Sequence, residues 1–266
     1  MSSHPPSAII CLDLDGTCVE HDPTHAWFSE MVAAQINAAV RHGAAWCTNS
    51  GRNAHNQHGM IQACRALSVP PFAILANECY IYDVHPVTCA MRPRQPYNNL
   101  SKQKALDMIP RVKEVLGQHL AALEADFAVA EYFPSTEFVG WLLDETADPV
   151  VFARRVRTLL APMGDTQVLR NGQWVVISHA EFGKGKVLTE AARGLGVPRE
   201  RILAIGDWHN DLDMLDGRCT GYVGCPADAD AEVRAVVRHA GGWIADEPGP
   251  AGTCTLLRRF VNELLV

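Results

Sequence analysis

Two aspartates stand two positions apart near the start of the chain, directly after an apolar run. Asp13 and Asp15 lie in the segment Asp-Leu-Asp-Gly-Thr that follows residues 8–12. Two carboxylates at this spacing can share a divalent cation and divide their roles, one ionised and attacking, the other holding a proton. An acidic turn is the alternative. The position favours chemistry, because open α/β sheets bind ligands at the carboxyl ends of their strands.

A second acidic pair follows another apolar run late in the chain. Asp207 and Asp211 lie in the segment Ile-Gly-Asp-Trp-His-Asn-Asp, between a predicted strand at 202–205 and a predicted helix. Four aspartates that converge without a cation would repel one another, and an oxygen-rich site of this kind suits Mg²⁺. Helix capping by Asp207 or Asn210 is the alternative. The sequence therefore predicts a magnesium site.

Two segments between the acidic pairs offer groups that can hold a phosphoryl group. Ser50 and Gly51 follow a predicted strand in Thr-Asn-Ser-Gly-Arg, and Lys184 opens a predicted helix in Phe-Gly-Lys-Gly-Lys. A hydroxyl, the backbone N–H groups at a helix start and a lysine can together neutralise a phosphoryl group. Ser50 can instead be a turn residue, and Lys186 is a rival for Lys184 on the same turn.

The elements that must position these residues alternate between short apolar strands and helices at both ends of the chain. This rhythm predicts strands at 8–14, 44–47, 72–76 and 202–205, with helices at 25–42 and 53–67. The pattern is typical of an α/β fold with a Rossmann-like, doubly wound parallel sheet. Three of these strand ends, at 8–14, 44–47 and 202–205, then carry candidate residues to one edge of the sheet.

The middle of the chain departs from this alternation of strands and helices. A helix is expected at 101–123, bent or divided by Pro110, and the hairpin signal Asn171-Gly172 joins two later strands. The segment reads αββαββ, an α+β insert. We predict a core formed by residues 1–82 and 181–266, with residues 83–180 as a cap domain inserted in it.

Composition limits the function classes. The 266 residues are 48% hydrophobic and carry a formal charge of −7, which favours a globular enzyme with a small polar partner over a binder of nucleic acid or membrane. The nine cysteines contain no CxxC pair, which predicts a reducing compartment. Residues 1–7 form a short polar segment, and no apolar run is long enough to cross a membrane, so we expect a cytoplasmic protein. We expect it to be a monomer or a homodimer.

The four segments, taken in this order, resemble the motifs of the haloacid dehalogenase (HAD) superfamily of phosphotransferases. In that family the motifs are D-x-D-G-T, a strand-end Thr or Ser followed by Gly-Arg, a Lys-Gly at a helix start, and G-D-x-x-N-D. The insert between the second and third motifs resembles the cap of the Cof-type branch. One departure is the pair Asn77-Glu78, where the family often has Asn-Gly.

The resemblance implies a role for each motif residue. Asp13 would attack phosphorus, and Asp15 would protonate the leaving oxygen and later activate water. The implied ligands of Mg²⁺ are Asp13, the Asp15 backbone carbonyl, Asp207 and Asp211. The implied contacts of the phosphate are Ser50, Gly51, Lys184 and Asn210.

Four cap residues cluster on or beside two predicted strands: Glu131, Tyr132, Glu137 and Trp141. They can recognise a sugar by hydrogen bonds to its hydroxyl groups and by stacking on its ring. A cap core with a solvated face is the alternative for them. The function expected is a Mg²⁺-dependent phosphatase acting on a small phosphorylated metabolite, with a sugar phosphate as the favoured class. A phosphomutase of the phosphomannomutase type and a non-catalytic module that binds a phosphorylated metabolite are the alternatives.

Overall fold

The computed structural model describes residues 5–22 and 24–266. The first four residues of the polar N-terminal segment lie outside this range. The chain forms two compact units. One contains the residues up to Arg94 together with Gly183–Asp207 and Asp211–Val266, and the other contains Gln95–Phe182 and Trp208–Asn210.

The first unit is an α/β layer structure. Its elements in chain order are β1 (Ala8–Leu12), β2 (Val19–His21), β3 (Ala26–Phe28), α1 (Glu30–Arg41), β4 (Ala44–Ser50), α2 (Ala54–Ala63), β5 (Ala73–Ala76), β6 (Tyr80–Val84), β7 (Met91–Pro93), α6 (Lys184–Arg193), β12 (Ile202–Ile205), α7 (Leu212–Leu215), β13 (Tyr222–Cys225), α8 (Ala231–His239), β14 (Trp243–Ile244) and α9 (Gly249–Phe260).

Eight of these strands form one sheet in the order β14-β13-β12-β1-β4-β5-β6-β7. The first six are parallel, and β6 and β7 continue the sheet as antiparallel strands. Every residue of β1, β5 and β12 is buried, as expected of central strands covered on both faces. The predicted doubly wound parallel core is confirmed.

The segment after the first motif differs from the prediction. A helix was expected from His25, but residues 26–28 form β3 and pair antiparallel with β2. The turn between them is held by Asp22, whose carboxylate accepts the backbone N–H groups of Thr24 and His25. Helix α1 therefore begins only at Glu30, because Ser29 before it is extended.

The predicted first domain boundary, between residues 82 and 83, is also wrong. Strand β6 runs on to Val84 and pairs with β7, so the core sheet continues and the first unit ends at Arg94. The Pro-rich composition of this stretch indicated a linker, but prolines are compatible with the edge strand that β7 forms. The second boundary, predicted at 180/181, falls at 182/183.

The second unit packs helices on a four-stranded antiparallel sheet in the order β10-β11-β9-β8. Its elements are α3 (Tyr97–Gly117), α4 (Leu120–Asp126), β8 (Val129–Pro134), β9 (Val139–Leu143), α5 (Pro149–Leu160), β10 (Thr166–Asn171) and β11 (Trp174–His179). The α+β insert is as predicted, except that two helices precede the first strand pair.

Pro110 does not divide the first helix of this unit, as the sequence suggested. Helix α3 continues through it to Gly117, and the break comes at Gln118 and His119. A proline removes the hydrogen bond to the carbonyl four residues earlier, here that of Leu106. Leu106 is exposed, so water can bind that carbonyl. None of the helices in the described part of the chain is long and apolar enough to span a bilayer.

Candidate active site

The ends of β1, β4 and β12 bring the motifs together in the first unit. Leu12 is in register with Ile205 on one side and with Thr48 on the other. The N–H of Asp13 donates to the carbonyl of Ile205 at 3.0 Å, so the first and fourth motifs leave the sheet side by side. Parallel pairing thus places the two acidic motifs at one edge, as the sequence predicts.

Lys184 lies at the centre of this edge with none of its side chain exposed. Its Nζ donates to Asp13 Oδ1 and to Asp211 Oδ1, both at 2.6 Å. Burial alone would lower the pKa of Lys184, but the charges of Asp13 and Asp211 raise it well above its usual value. Lys184 is therefore a charged group that joins two acidic motifs, whereas Lys186 on the same helix is exposed.

Short contacts fix the remaining acidic groups. Thr17 Oγ1 donates to Asp207 Oδ1 at 2.8 Å, and the N–H of Asp207 donates to Asp211 Oδ2 at 3.0 Å. Gly16 has a φ of +76°, and a Cβ there would lie 2.0 Å from Asp207 Oδ2. Only glycine fits this position, because the first motif turns directly against the Asp207 carboxylate.

Three buried carboxylates form a cluster of the kind that holds a metal ion. Asp13, Asp207 and Asp211 each offer an oxygen within 4.8 Å of the others. Burial, reinforced by neighbouring carboxylates, raises the pKa of Asp207 well above its usual value and that of Asp13 from 3.8 to about 8. Among the described residues, Asp13 Oδ2 has no hydrogen-bond partner although it is buried. The three carboxylates together fit a hard divalent cation, which prefers carboxylate ligands.

The carboxylate of Asp15 is held by an arginine of the second motif. Arg52 donates from Nε to Asp15 Oδ2 at 2.7 Å and from Nη2 to Asp15 Oδ1 at 2.5 Å. His21 Nε2 lies 3.8 Å from the same Oδ1. A bidentate pair of this kind fixes the orientation of a carboxylate. The sequence did not identify Asp15 as the partner, because Arg52 lies in the loop after β4 and His21 lies at the end of β2.

The loop after β4 carries Ser50 and is organised by a residue that sequence reasoning missed. Ser50 is buried, and its Oγ accepts the N–H of Arg52 at 3.2 Å. Gln57, fully buried in α2, donates to the carbonyls of Arg52 at 2.8 Å and Leu75 at 3.0 Å. Its Oε1 in turn accepts the hydroxyl of Thr48. Gln57 thereby fixes the backbone from which Ser50 and Gly51 project.

Asn210 lies in a short 3-10 helix, His209–Asp211, and is buried.

The four cap candidates lie in the second unit. Glu137 lies in the connection between β8 and β9, and the other three divide between the two faces of the sheet. Trp141 is 0% exposed, with its ring centroid 5.4 Å from that of Tyr132 and 5.2 Å from that of Phe152. A substrate cannot stack on a ring that is buried in this way, so the prediction for Trp141 is wrong.

Tyr132 pairs with Trp141 in the strand register and packs against the same helix-covered core. Glu131 is exposed and faces the other side of the sheet, because it pairs with Leu142. Glu137 forms an ion pair with Lys102 at 3.3 Å. Sequence reasoning missed Trp174, which lies on the same face as Glu131 and is 40% exposed.

The chain is similar to known hydrolases in sequence. The model of the haloacid dehalogenase-like hydrolase family matches residues 142–246. The pyridoxal phosphate phosphatase YbhA of Escherichia coli is 26% identical over 268 residues, covering 85% of this chain and 91% of that protein. A phosphoglycolate phosphatase of Methanoculleus marisnigri is 27% identical over 121 residues, which cover 43% of this chain and only 49% of that protein.

A solved structure extends the likeness to the fold of nearly the whole chain. The sucrose-phosphatase of Synechocystis, in complex with sucrose and phosphate, has a TM-score of 0.70 with 17% identity, and the alignment covers 96% of this chain and 98% of that one. The fold is of the α/β type, and its second part matches the model of the haloacid dehalogenase-like hydrolases. The relatives that match in sequence are phosphatases, and the chain is similar to them.

Proposed function

We propose that the protein is a phosphatase that hydrolyses a small phosphorylated metabolite, with a sugar phosphate as the expected class, through a phosphorylated Asp13. The observation that carries the proposal is the asymmetry of the Asp13 carboxylate. Oδ1 is anchored by Lys184, while the buried Oδ2 accepts no hydrogen bond from the described residues. A fixed carboxylate with one unengaged oxygen is arranged as a nucleophile.

The surrounding residues support the remaining steps. Oδ2 of Asp13 attacks phosphorus, and the leaving oxygen takes a proton from Asp15, which later accepts a proton from the attacking water. Ser50, the N–H of Gly51, Lys184 and Asn210 hold the phosphoryl oxygens. Mg²⁺ would be held by Asp13, the Asp15 backbone carbonyl, Asp207 and Asp211. When bound, it would supply positive charge that favours ionised Asp13 and offsets charge on the phosphoryl group.

Several relatives act on substrates of this class. The names of two of the proteins compared above refer to pyridoxal phosphate and phosphoglycolate, and the third is a sucrose-phosphatase solved with sucrose and phosphate. All nine cysteines of this chain are free thiols, which supports a reducing compartment and therefore the cytoplasm as its location.

The proposal is tested by incubating the purified protein and Mg²⁺ with a panel of sugar phosphates and other phosphoesters, and following phosphorus by NMR. A phosphatase releases inorganic phosphate. A hexose 1-phosphate that becomes the 6-phosphate would instead identify a phosphomutase, and a panel without any turnover would favour a module that only binds phosphorylated metabolites.

Replacing Asp15 with Asn should lower activity in a way that depends on the leaving group. An alkyl phosphate needs a proton on its departing oxygen, so kcat should fall about 10²–10⁴-fold. Hydrolysis of p-nitrophenyl phosphate should fall much less at the phosphorylation step, because nitrophenolate leaves without a proton. Rapid-quench measurement of that step for both esters checks this. An equal loss for both would argue against Asp15 as the acid.

Mg²⁺ should stabilise the fold more at pH 8 than at pH 5. Since burial raises the pKa of Asp13 from 3.8 to about 8, the metal-free folded state keeps a proton that the unfolded state releases. Stability from this group is therefore lost as pH rises between these values. A cation that binds the ionised cluster reverses that loss. Thermal unfolding with Mg²⁺ or a chelator measures the difference.

The Asp107→Asn variant, changed at an exposed aspartate of α3, is the matched control and should keep the Mg²⁺ effect, whereas Asp207→Asn should lose it. A wild-type protein whose unfolding temperature at pH 8 does not respond to Mg²⁺ would contradict the metal assignment.

A further inference from the structure

The turn between β5 and β6 has an unusual backbone. It is closed by the N–H of Cys79, which donates to the carbonyl of Ala76 at 3.1 Å. Its two central residues, Asn77 and Glu78, have φ values of +50° and +61°. A turn with positive φ at both central positions favours Asn followed by Gly, because a β-carbon is strained there. Asn77 fits this preference, whereas Glu78 does not.

The strained backbone places the side chain of Glu78 close to the second motif. Its Oε1 lies 3.5 Å from the point that a β-carbon on Gly51 would occupy. The turn is also tied to the same loop, because the N–H of Asn77 donates to the carbonyl of Arg52 at 3.2 Å. Glu78, whose φ is in the left-handed region, thus places its carboxylate beside the second motif, next to the loop that would bind phosphate. Strained residues of this kind cluster at functional sites.

Glu78 also lies close enough to Lys184 for its negative charge to act on that lysine. Lys184 and the Ser50 loop are the groups that would hold the phosphoryl oxygens. A carboxylate beside this loop acts equally on the phosphoryl group of every substrate. It acts differently on the organic part, where a second negative charge is repelled and a hydroxyl or ammonium donor is accepted.

We propose that Glu78 is a specificity-determining residue, which selects phosphoesters with a neutral, hydroxyl-bearing or cationic group next to the phosphate and rejects those with a second anion there. The proposal rests on the phosphatase function proposed above and names the substrate class within it. A turn residue without this role would be expected to be glycine, which fits the backbone without strain.

Two esters of nearly the same size test the proposal. Phosphoglycolate carries a carboxylate where 2-hydroxyethyl phosphate carries a hydroxymethyl group. The ratio of their kcat/KM values is measured for the wild-type protein and for Glu78→Gln, which keeps the size of the side chain and removes its charge. The ratio should shift about tenfold toward phosphoglycolate, the effect of removing one nearby like charge. An unchanged ratio in this variant would overturn the proposal.

Two further variants separate charge from backbone strain. Glu78→Gly should shift the ratio in the same direction and also raise the unfolding temperature, because the left-handed strain is relieved. Asn77→Gly changes the neighbouring position of the same turn without altering the charge near Gly51. It is the matched control and should leave the ratio as in the wild type. A shift in Asn77→Gly equal to that in Glu78→Gln would assign the effect to the turn and overturn the proposal.

A binding experiment keeps this inference separate from the proposed function. Phosphonoacetate and 2-hydroxyethylphosphonate differ in the same way as the two esters but are not hydrolysed. Calorimetric titration gives their affinity ratio for the wild-type protein and for Glu78→Gln. If no ester is turned over, the phosphatase proposal fails, yet the affinity ratio still decides the role of Glu78. An about tenfold shift toward phosphonoacetate supports that role, and no shift contradicts it.

Discussion

Replacing Asp13 with Asn should abolish phosphoester hydrolysis while leaving the protein folded. The amide oxygen can still accept the hydrogen bond from Lys184, but an uncharged amide is not a nucleophile. We expect kcat to fall by about 10⁴-fold or more, as for other essential nucleophiles. Steady-state assays on the best ester of the panel measure the loss.

The fold of this variant is expected to survive because the metal-free Asp13 carboxyl already holds a proton below about pH 8, where its pKa lies. A neutral amide of the same size then leaves the charge of the site unchanged, so the unfolding temperature in the absence of metal should not fall. Circular dichroism and thermal unfolding check this point. The Asp107→Asn variant controls for a change of this chemical type and should be fully active. Wild-type activity in Asp13→Asn would disprove the proposed nucleophile.

Replacing Lys184 with Met should have the second largest effect, because it damages both activity and stability. The Nζ atom is the donor to Asp13 and Asp211 at 2.6 Å, and none of the side chain reaches solvent. Removing it leaves two buried carboxylates without their compensating charge, a loss of about 3–5 kcal/mol of folding free energy. The phosphoryl group also loses a cation, and kcat should fall about 10³-fold.

Urea unfolding at constant pH measures the stability change, and the panel ester measures the activity. The control is Lys186→Met, on the same helix but exposed, which should change neither quantity appreciably. This comparison also decides between the two lysines that the sequence left as rivals. If Lys186→Met were the more damaging substitution, the central position given to Lys184 would be wrong.

Much of the site was predictable because it depends on local patterns. A short apolar run predicts a buried parallel strand, and the residues after it must lie at the sheet's carboxyl edge. This reasoning brought Asp13 and Asp207 to one place without any knowledge of distances, whereas Lys184, at a helix start, was added by the resemblance of the four motifs to a known family. The hairpin signal at Asn171-Gly172 predicted a real strand pair for the same local reason.

The parts that failed depend on contacts between distant residues. Trp141 and Glu131 lie on one strand pair, and only the packing of helices on one face decides which side chain is buried. The burial of Gln57 against the carbonyls of Arg52 and Leu75 leaves no trace in a single sequence. Residues 25–28 match a helical pattern, yet pairing with β2 overrides that preference. Glu78 was visible only as a departure from a familiar turn.

The most direct test of the central claim is to trap the covalent intermediate. The protein is mixed with Mg²⁺ and an excess of the best ester, quenched in acid within the first turnovers, reduced with borohydride to fix the acyl phosphate, and digested for mass spectrometry. We predict that the peptide containing Asp13 carries the reduction product of an aspartyl phosphate, and that Asp13→Asn gives none. Turnover without modification of Asp13, or with the label on another residue, would contradict the account.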